Sequence, residues 1–256
     1  MISPLAVVDP EAKIGKNVTI HPFAYIEKDV VIGDNNVILP YASILNGARI
    51  GNGNTIYQGA VIAAIPQDFN FRGEATIAEI GDNNTIREYA VISRATSSTG
   101  VTRVGNSSFI MQSVRLSHDV KVGDHCIIGN GSQLSGNVVV EDHAILSSCV
   151  LAQLGARVGQ WALIQAGCSF AKDIPPYVIV TREPVTAYHS VNTMVLSNQG
   201  FEERIIKHIA QAYRVVYKGN FSTLDAADKV EQQVPMSEEI QNIIDFIRST
   251  QRGILK

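Results

Sequence analysis

The stretch LSHDVKVGDHCIIGNGSQLSGNVVVEDHAIL, residues 116–146, carries an aliphatic residue at every sixth position. These residues are Leu116, Val122, Ile128, Leu134, Val140 and Leu146. Extended in both directions, the same phase places apolar residues at 26 of its 29 positions from Ile2 to Phe170. About 13 would be expected by chance at 45 % hydrophobic content. A period of six fits neither an α-helix nor a simple strand, so it favours short parallel strands joined by tight corners.

A longer period of 18 residues lies within the shorter one. Glycine directly follows the aliphatic residue at positions separated by multiples of 18, namely Gly15, Gly33, Gly51, Gly105, Gly123 and Gly159. Three six-residue units per turn of a triangular coil would place these glycines on one corner, where we expect positive φ angles. Small residues recur four positions after many of the aliphatic ones: Ala6, Ala12, Ala24, Ala42, Ala48, Ala60, Ala90, Cys126, Ala144, Ala156, Ala162 and Cys168.

Two interruptions of the repeat predict loops. The aliphatic phase fails only at Asp68, Glu74 and Ser98, and Gly81 is out of step with the other corner glycines. The spacing predicts about 12 extra residues within 63–79 and about six within 93–103. Loops that project from a rigid scaffold often carry function, so these two segments are candidates for the active site.

The chain divides into a repeat domain at 1–185 and a helical domain at 186–256. Apolar residues at three- and four-residue spacing predict a helix from Phe201 to Lys218. Ser222 and Ser237 are the expected N-caps of a second and a third helix.

Composition excludes several classes of protein. The net charge of −3 argues against a nucleic-acid-binding protein, which would normally be basic. The three cysteines are too few and too scattered for a disulfide framework or a zinc knuckle. The sequence contains no signal-peptide pattern and no apolar stretch long enough for a membrane span, so we expect a soluble protein without stable membrane insertion in a reducing compartment.

The repeat resembles that of the hexapeptide acyltransferases, and specific segments resemble the UDP-N-acetylglucosamine O-acyltransferase family, which begins lipid A biosynthesis. These segments are IYQGAVI (56–62), PQDFNFRGE (66–74), IGDNNTIRE (80–88), LSHDVKVG (116–123), DIPPYVI (173–179) and RSTQRGIL (248–255). The resemblance implies a mainly β fold: a left-handed parallel β-helix of hexapeptide repeats with two loop insertions, followed by a C-terminal α-helical domain. It also implies a Gram-negative bacterial source and a cytoplasmic location.

The resemblance assigns catalysis to the pair His118–Asp119. Acylation of a sugar hydroxyl needs a base, and histidine changes protonation near neutral pH. Asp119 is expected to orient the imidazole, although neighbours on a strand point to opposite faces, so direct contact is left open. One coil further, 18 residues on, Gly136 is the family's oxyanion-stabilising glycine. Its missing side chain is expected to let the substrate approach the backbone.

The resemblance also implies substrate contacts, several of which depart from the family pattern. Gln67 and Asp68 match a sugar-binding pair, and Asn192 matches a nucleotide-binding asparagine. Elsewhere the family's basic or histidine residues are replaced. The positions that depart from the pattern are Asn70, Arg115, Asn137, Gln153–Leu154 and Asn198–Gln199. A close variant of the usual sugar nucleotide therefore remains an alternative acceptor.

The expected partners are UDP-N-acetylglucosamine, acyl carrier protein, whose thioester is a co-substrate, and two further copies of the chain. No cofactor and no metal are expected. Ala166, or Gly167 if the register slips by one, is the expected acyl-chain ruler, and a small residue there predicts a chain of about fourteen carbons or more. Basic residues on the first C-terminal helix are the candidates for docking the acidic carrier protein: Arg204, Lys207, Arg214 and Lys218.

Three rival functions remain in view. A zinc enzyme of carbonic anhydrase type shares the scaffold, and His125 and His143, 18 residues apart, should stack on adjacent coils, but zinc needs three or four ligands. Another hexapeptide acyltransferase could use a variant sugar nucleotide or an amine acceptor. A non-enzymatic β-helix scaffold would give no reason for two loops beside a His-Asp pair.

Overall fold

The repeat forms a prism of short strands. A computed structural model of the protein describes residues 1–97, 100–219 and 221–256. The first fourteen strands are β1 (Val7–Val8), β2 (Lys13–Ile14), β3 (Thr19–Ile20), β4 (Tyr25–Ile26), β5 (Val31–Ile32), β6 (Val37–Ile38), β7 (Ser43–Ile44), β8 (Ala48–Ile50), β9 (Thr55–Ile56), β10 (Val61–Ala64), β11 (Ile77–Ile80), β12 (Thr85–Ile86), β13 (Val91–Ser93) and β14 (Val101–Val104). The remainder are β15 (Phe109–Ile110), β16 (Arg115–Leu116), β17 (Lys121–Val122), β18 (Ile127–Ile128), β19 (Gln133–Leu134), β20 (Val139–Val140), β21 (Ile145–Leu146), β22 (Leu151–Ala152), β23 (Arg157–Val158), β24 (Leu163–Ile164), β25 (Ser169–Phe170), β26 (Val178–Thr181) and β27 (Ala187–Val191).

The strands build three faces because each pairs in parallel with the strand three places along the chain. The first face has the order β1-β4-β7-β10-β13-β16-β19-β22-β25, and the second β2-β5-β8-β11-β14-β17-β20-β23. The third runs β3-β6-β9-β12-β15-β18-β21-β24-β26 and ends on the antiparallel strand β27. The aliphatic residue of each repeat points inward, and Ile44, Ile62 and Leu116 are all 0 % exposed. This column of aliphatic side chains is the core.

The register locates the two insertions. In regular coils partners are 18 residues apart, as in the pair Leu116 and Leu134. Ile62 instead pairs with Ile92, and Ile80 with Val104, so the spacing grows by 12 and by six residues. The loops lie at 65–76, between β10 and β11, and at 94–100, between β13 and β14. Ser98, one of the positions that break the repeat, lies outside the described residues.

The expected reason for the recurrent glycines is wrong. None of them has positive φ; the left-handed residues come two positions later, as at Asn17 and Asn35. A side chain at Gly33 is excluded because its Cβ would lie 2.6 Å from the Gly51 carbonyl oxygen of the next coil. Stacking of the coils, rather than a left-handed backbone, therefore requires glycine there.

The expectation of a purely helical region after Thr186 is wrong at its start. Strand β27 (Ala187–Val191) pairs antiparallel with β26 because the last coil needs a partner for its open edge. Four helices follow: α1 (Thr193–Asn198), α2 (Glu203–Lys218), α3 (Thr223–Gln233) and α4 (Glu238–Ser249). The boundary after residue 185 stays a prediction.

The C-terminal helices cover the end of the prism. The hydroxyls of Ser222 and Ser237 accept from the first-turn N–H groups of α3 and α4, which confirms both N-caps. The Tyr213 hydroxyl donates to the Pro176 carbonyl at 2.6 Å, and the Thr250 hydroxyl donates to the Asp173 carboxylate at 2.6 Å. Within the described ranges, no helix has the length and apolar character needed to cross a bilayer.

Candidate active site

His118 and Asp119 lie on a corner of the prism, directly after β16 on the first face and before β17 on the second. Asp119 has φ +60°, so the strand alternation that left their contact open does not apply at this point. His118 Nδ1 lies 2.9 Å from Asp119 Oδ2. The corner backbone thus brings two sequence neighbours into direct contact.

The Asp119 carboxylate is held from the second insertion. Its Oδ2 accepts from the Thr96 N–H at 3.1 Å, and the Asp119 N–H donates to the Thr102 hydroxyl oxygen at 2.8 Å. An ionised carboxylate only accepts hydrogen bonds, so Nδ1 of His118 carries the proton in the neutral ring. Nε2 then presents a free lone pair, which is the state a general base needs.

Asp68 places a second carboxylate near the same ring. Its Oδ2 lies 3.7 Å from Nε2 of His118, so the imidazole lies between two carboxylates. The Asn70 backbone N–H lowers the pKa of the Asp68 carboxyl below its ordinary value, and the Thr96 hydroxyl and His118 lower it further. A charged Asp68 stabilises the imidazolium that forms when Nε2 takes a proton.

Gly136 lies against the His118 ring. A Cβ built there would be 2.5 Å from Nε2 and 3.0 Å from Nδ1. The space that was expected to admit the substrate is therefore filled by the imidazole itself. No acceptor among the described residues is hydrogen-bonded to the Gly136 N–H.

A cleft of about 280 Å³ contains His118 and the Gly136 backbone. Its wall includes Gln67 from the first insertion, whose Oε1 accepts from Arg115 at 2.9 Å. Four lining residues were missed from the sequence: Ser93, Ser117, Ser135 and Leu154. The period of 18 could have found Leu154, which follows Gly136 on the same corner.

The other expected substrate contacts lie outside this cleft. Asn137 and Gln153 are exposed on coils that follow His118. Asn192 is 1 % exposed, and its amide donates to the Trp161 carbonyl at 3.0 Å, so it packs the end of the prism. Asn198 is exposed at the end of α1.

Ala166 and Gly167 lie on a different corner from His118. They follow β24 on the third face and precede β25 on the first, and the Gly167 N–H donates to the Ser148 carbonyl of the coil before. Ala166 is exposed and Gly167 is left-handed, with φ +72°. One protomer therefore does not bring the expected ruler to the His118 cleft.

The four basic residues on α2 are exposed but not equivalent. Glu202 lies 3.7 Å from Arg204, and Glu203 lies 2.7 Å from Lys207. No acidic side chain in the described ranges pairs with Arg214 or Lys218. Lys207 and Arg214 border one shallow depression of about 510 Å³.

His125 and His143 stack on adjacent coils, as their spacing predicts. Their ring centroids are 4.9 Å apart, and the Trp161 ring continues the stack at 4.0 Å from His143. Burial lowers the pKa of His143, with a smaller effect from His125. Nowhere in the described part of the chain do three metal-binding side chains cluster.

Comparison with known proteins agrees with this geometry. A family model described as "Bacterial transferase hexapeptide (six repeats)" matches residues 29–64 and 102–136, and one described as "Udp N-acetylglucosamine O-acyltransferase; Domain 2" matches 173–255. The fold and the His118 cleft thus define a hexapeptide-repeat transferase.

Relatives over the full length specify the family. An acyl-[acyl-carrier-protein]--UDP-N-acetylglucosamine O-acyltransferase of Halorhodospira halophila is 38 % identical over 100 % of this chain and 99 % of its own. One from Sulfurihydrogenibium sp. is 45 % identical over 99 % and 93 %. The chain belongs to the acyl-[acyl-carrier-protein]--UDP-N-acetylglucosamine O-acyltransferase family.

Solved structures confirm the fold class. A UDP-N-acetylglucosamine acyltransferase from Bacteroides fragilis aligns over 100 % of both chains with 53 % identity and a TM-score of 0.98. The Francisella novicida enzyme aligns over 100 % of this chain and 94 % of its own with 37 % identity and a TM-score of 0.96. The protein is a left-handed parallel β-helix with a C-terminal helical region.

Proposed function

We propose that this protein transfers an acyl chain from acyl carrier protein to the 3-hydroxyl of UDP-N-acetylglucosamine, the first step of lipid A biosynthesis, with His118 as the general base. The observation that carries the residue assignment is the Nδ1 contact of His118 with Asp119 at 2.9 Å, which leaves Nε2 free in a cleft. The family named above supplies the substrates. The cytoplasmic location that the resemblance implies belongs to the same proposal.

The reaction needs one proton carrier. Nε2 of His118 takes the proton of the sugar hydroxyl as its oxygen attacks the thioester carbonyl. Asp119 and Asp68 stabilise the resulting imidazolium from its two nitrogen sides. When the tetrahedral intermediate collapses, the C–S bond breaks, and the imidazolium returns the proton to the departing thiolate. No cofactor is required for this balance.

The intermediate also needs donors for its oxyanion. The Gly136 N–H lies beside the imidazole and has no acceptor among the described residues. A backbone donor at this place costs no reorganisation when negative charge develops on the carbonyl oxygen. Gly136 thus serves twice, because it admits the ring and offers its N–H.

The acceptor site differs from the family pattern at Arg115. Its guanidinium donates to Gln67 within the cleft, where it can contact a phosphate or sugar oxygen. A sugar nucleotide that carries an amine at the reacting position is therefore the second acceptor worth testing, because an amine also needs a base at Nε2.

The complete site requires more than one copy of the chain. Ala166 and His118 lie on different corners of the prism. A groove between two prisms of a homotrimer would bring the corner of one copy against a face of another, so that both residues border one acyl chain. This arrangement supports the three-copy assembly that the resemblance implies.

A direct assay tests the function. Purified protein is mixed with acyl carrier protein thioesters of graded chain length and with either UDP-N-acetylglucosamine or its 3-amino analogue, and released thiol and acylated nucleotide are measured together. Equal amounts of both products with the hydroxyl acceptor support the proposal. Turnover with the amine alone would favour the alternative acceptor, and no turnover in any combination would overturn the proposed function. His118→Ala is the matched control for background hydrolysis.

A further inference from the structure

The corner that carries Asp119 departs from the hydrogen bonding of the regular corners. At the regular corners, the N–H of the left-handed residue donates to the carbonyl 19 positions earlier, as Asn137 does to His118 at 3.1 Å and Gly155 to Gly136 at 2.9 Å. For Asp119 that position is Gly100, at the end of the second insertion. The Asp119 N–H donates instead to the Thr102 hydroxyl oxygen at 2.8 Å. A side chain has replaced a backbone acceptor.

Thr102 has an unusual place for a polar residue. The strand register of the second face puts it in a buried column whose other members are alanine or valine. The column comprises Ala12, Val30, Ala48, Ala78, Thr102, Val120, Val138 and Ala156. Thr102 is 0 % exposed and carries the column's one hydroxyl. Packing alone would accept valine here, so the hydroxyl needs another explanation.

The hydroxyl fixes the backbone from which the Asp119 carboxylate projects. Asp119 has φ +60°, and its Oδ2 contacts both His118 and the Thr96 N–H. Gly100 approaches so closely that a Cβ there would overlap Asp119 Oδ1. With the corner carbonyl replaced, Thr102 is the group that holds the Asp119 N–H on the prism side.

We propose that Thr102 is a positioning residue of the His118–Asp119 pair. Its hydroxyl oxygen accepts the Asp119 N–H, holds the left-handed corner in place of the carbonyl that the insertion displaced, and so aims the carboxylate at Nδ1. This inference rests on the proposed function of His118. It explains why a threonine stands in a column of alanine and valine.

Two matched substitutions separate the hydroxyl from the methyl group. Thr102→Val keeps the shape of the side chain and removes the acceptor, whereas Thr102→Ser keeps the acceptor and removes the methyl. We expect kcat to fall about tenfold in Thr102→Val, because a small displacement of a catalytic group is costly, with KM for both substrates within twofold. Thr102→Ser should keep at least half of the wild-type kcat. Thr102→Ala, the residue found at Ala48 and Ala78, replaces Thr102→Val if the valine variant does not fold.

A double substitution tests whether Thr102 acts through the carboxylate. Asp119→Gly removes the carboxylate and tolerates the left-handed backbone. Adding Thr102→Val to Asp119→Gly should lower kcat by less than twofold. A kcat of Thr102→Val within twofold of wild type, or the same loss with and without the Asp119 side chain, would overturn the inference. An inactive wild-type protein would instead refute the proposed function, so the two failures are distinguishable.

Discussion

Replacing Gly136 with alanine should displace the catalytic imidazole while leaving the fold intact. The new Cβ would lie 2.5 Å from His118 Nε2, and ordinary contact begins at 3.4 Å, so the ring must retreat by roughly 0.9 Å. Gly136 does not have positive φ, so alanine adds no backbone strain. A displacement of about 1 Å in a catalytic group costs on the order of 100-fold. We therefore expect kcat to fall about 100-fold in Gly136→Ala.

The assay is steady-state acyl transfer combined with thermal unfolding of four proteins: wild type, Gly136→Ala, His118→Ala and the double variant. Since the clash is with the ring, Gly136→Ala should lower the melting temperature less in the His118→Ala background than in wild type. The double variant should be no less active than His118→Ala alone. A Gly136→Ala protein with more than about a tenth of wild-type kcat would refute the reasoning, because the ring would then not need its observed position.

Four further outcomes follow from the same geometry. His118→Ala should lose on the order of 10²–10⁴-fold in kcat with folding intact, and Asp119→Asn should lose less, as initial rates will show; a loss below about tenfold for His118→Ala would assign the base elsewhere. Ala166→Met should move the optimum to shorter donors in a chain-length panel, and an unchanged profile at full rate would exclude Ala166 as the ruler. Reversing the unpaired Arg214 and Lys218 to Glu should raise KM for the carrier-linked donor in a salt-dependent way, whereas reversal of Arg204, beside Glu202, should matter less; equal KM values would place docking elsewhere. Light scattering should give three times the mass of one chain, and a monomer would contradict the shared site.

The prism was predictable because its signal repeats. An inward aliphatic residue at every sixth position leaves one solution for the core, and errors at Asp68 or Ser98 stand out against so many agreements. The insertions were located for the same reason, since they shift every later residue together. Strand β27 was missed because it occurs once, outside the repeat, and its apolar pattern also fits the start of a helical region.

The site was predictable only in part. The resemblance pointed to His118, and the period of 18 put Gly136 beside it, since stacked coils carry side chains directly above one another. The contact between His118 and Asp119 could not be read because strand alternation was applied to residues that form a corner. The approach of Asp68 to within 3.7 Å depends on the path of an irregular loop, which no periodicity describes.

The parallel ladders give the molecule a direction of weakness. Each coil is hydrogen-bonded to the coil before and the coil after it, so cohesion along the prism adds from neighbour to neighbour, as in other solenoids. The helices cover the end near Asp173, while among the described strands β1, β2 and β3 stand at the other end with one edge unpaired. Fraying should therefore start at the N-terminus and lose amplitude coil by coil. The chemistry sits many coils inward, where such motion has died away, which gives a rigid base and carboxylate without any disulfide or metal to tie the chain.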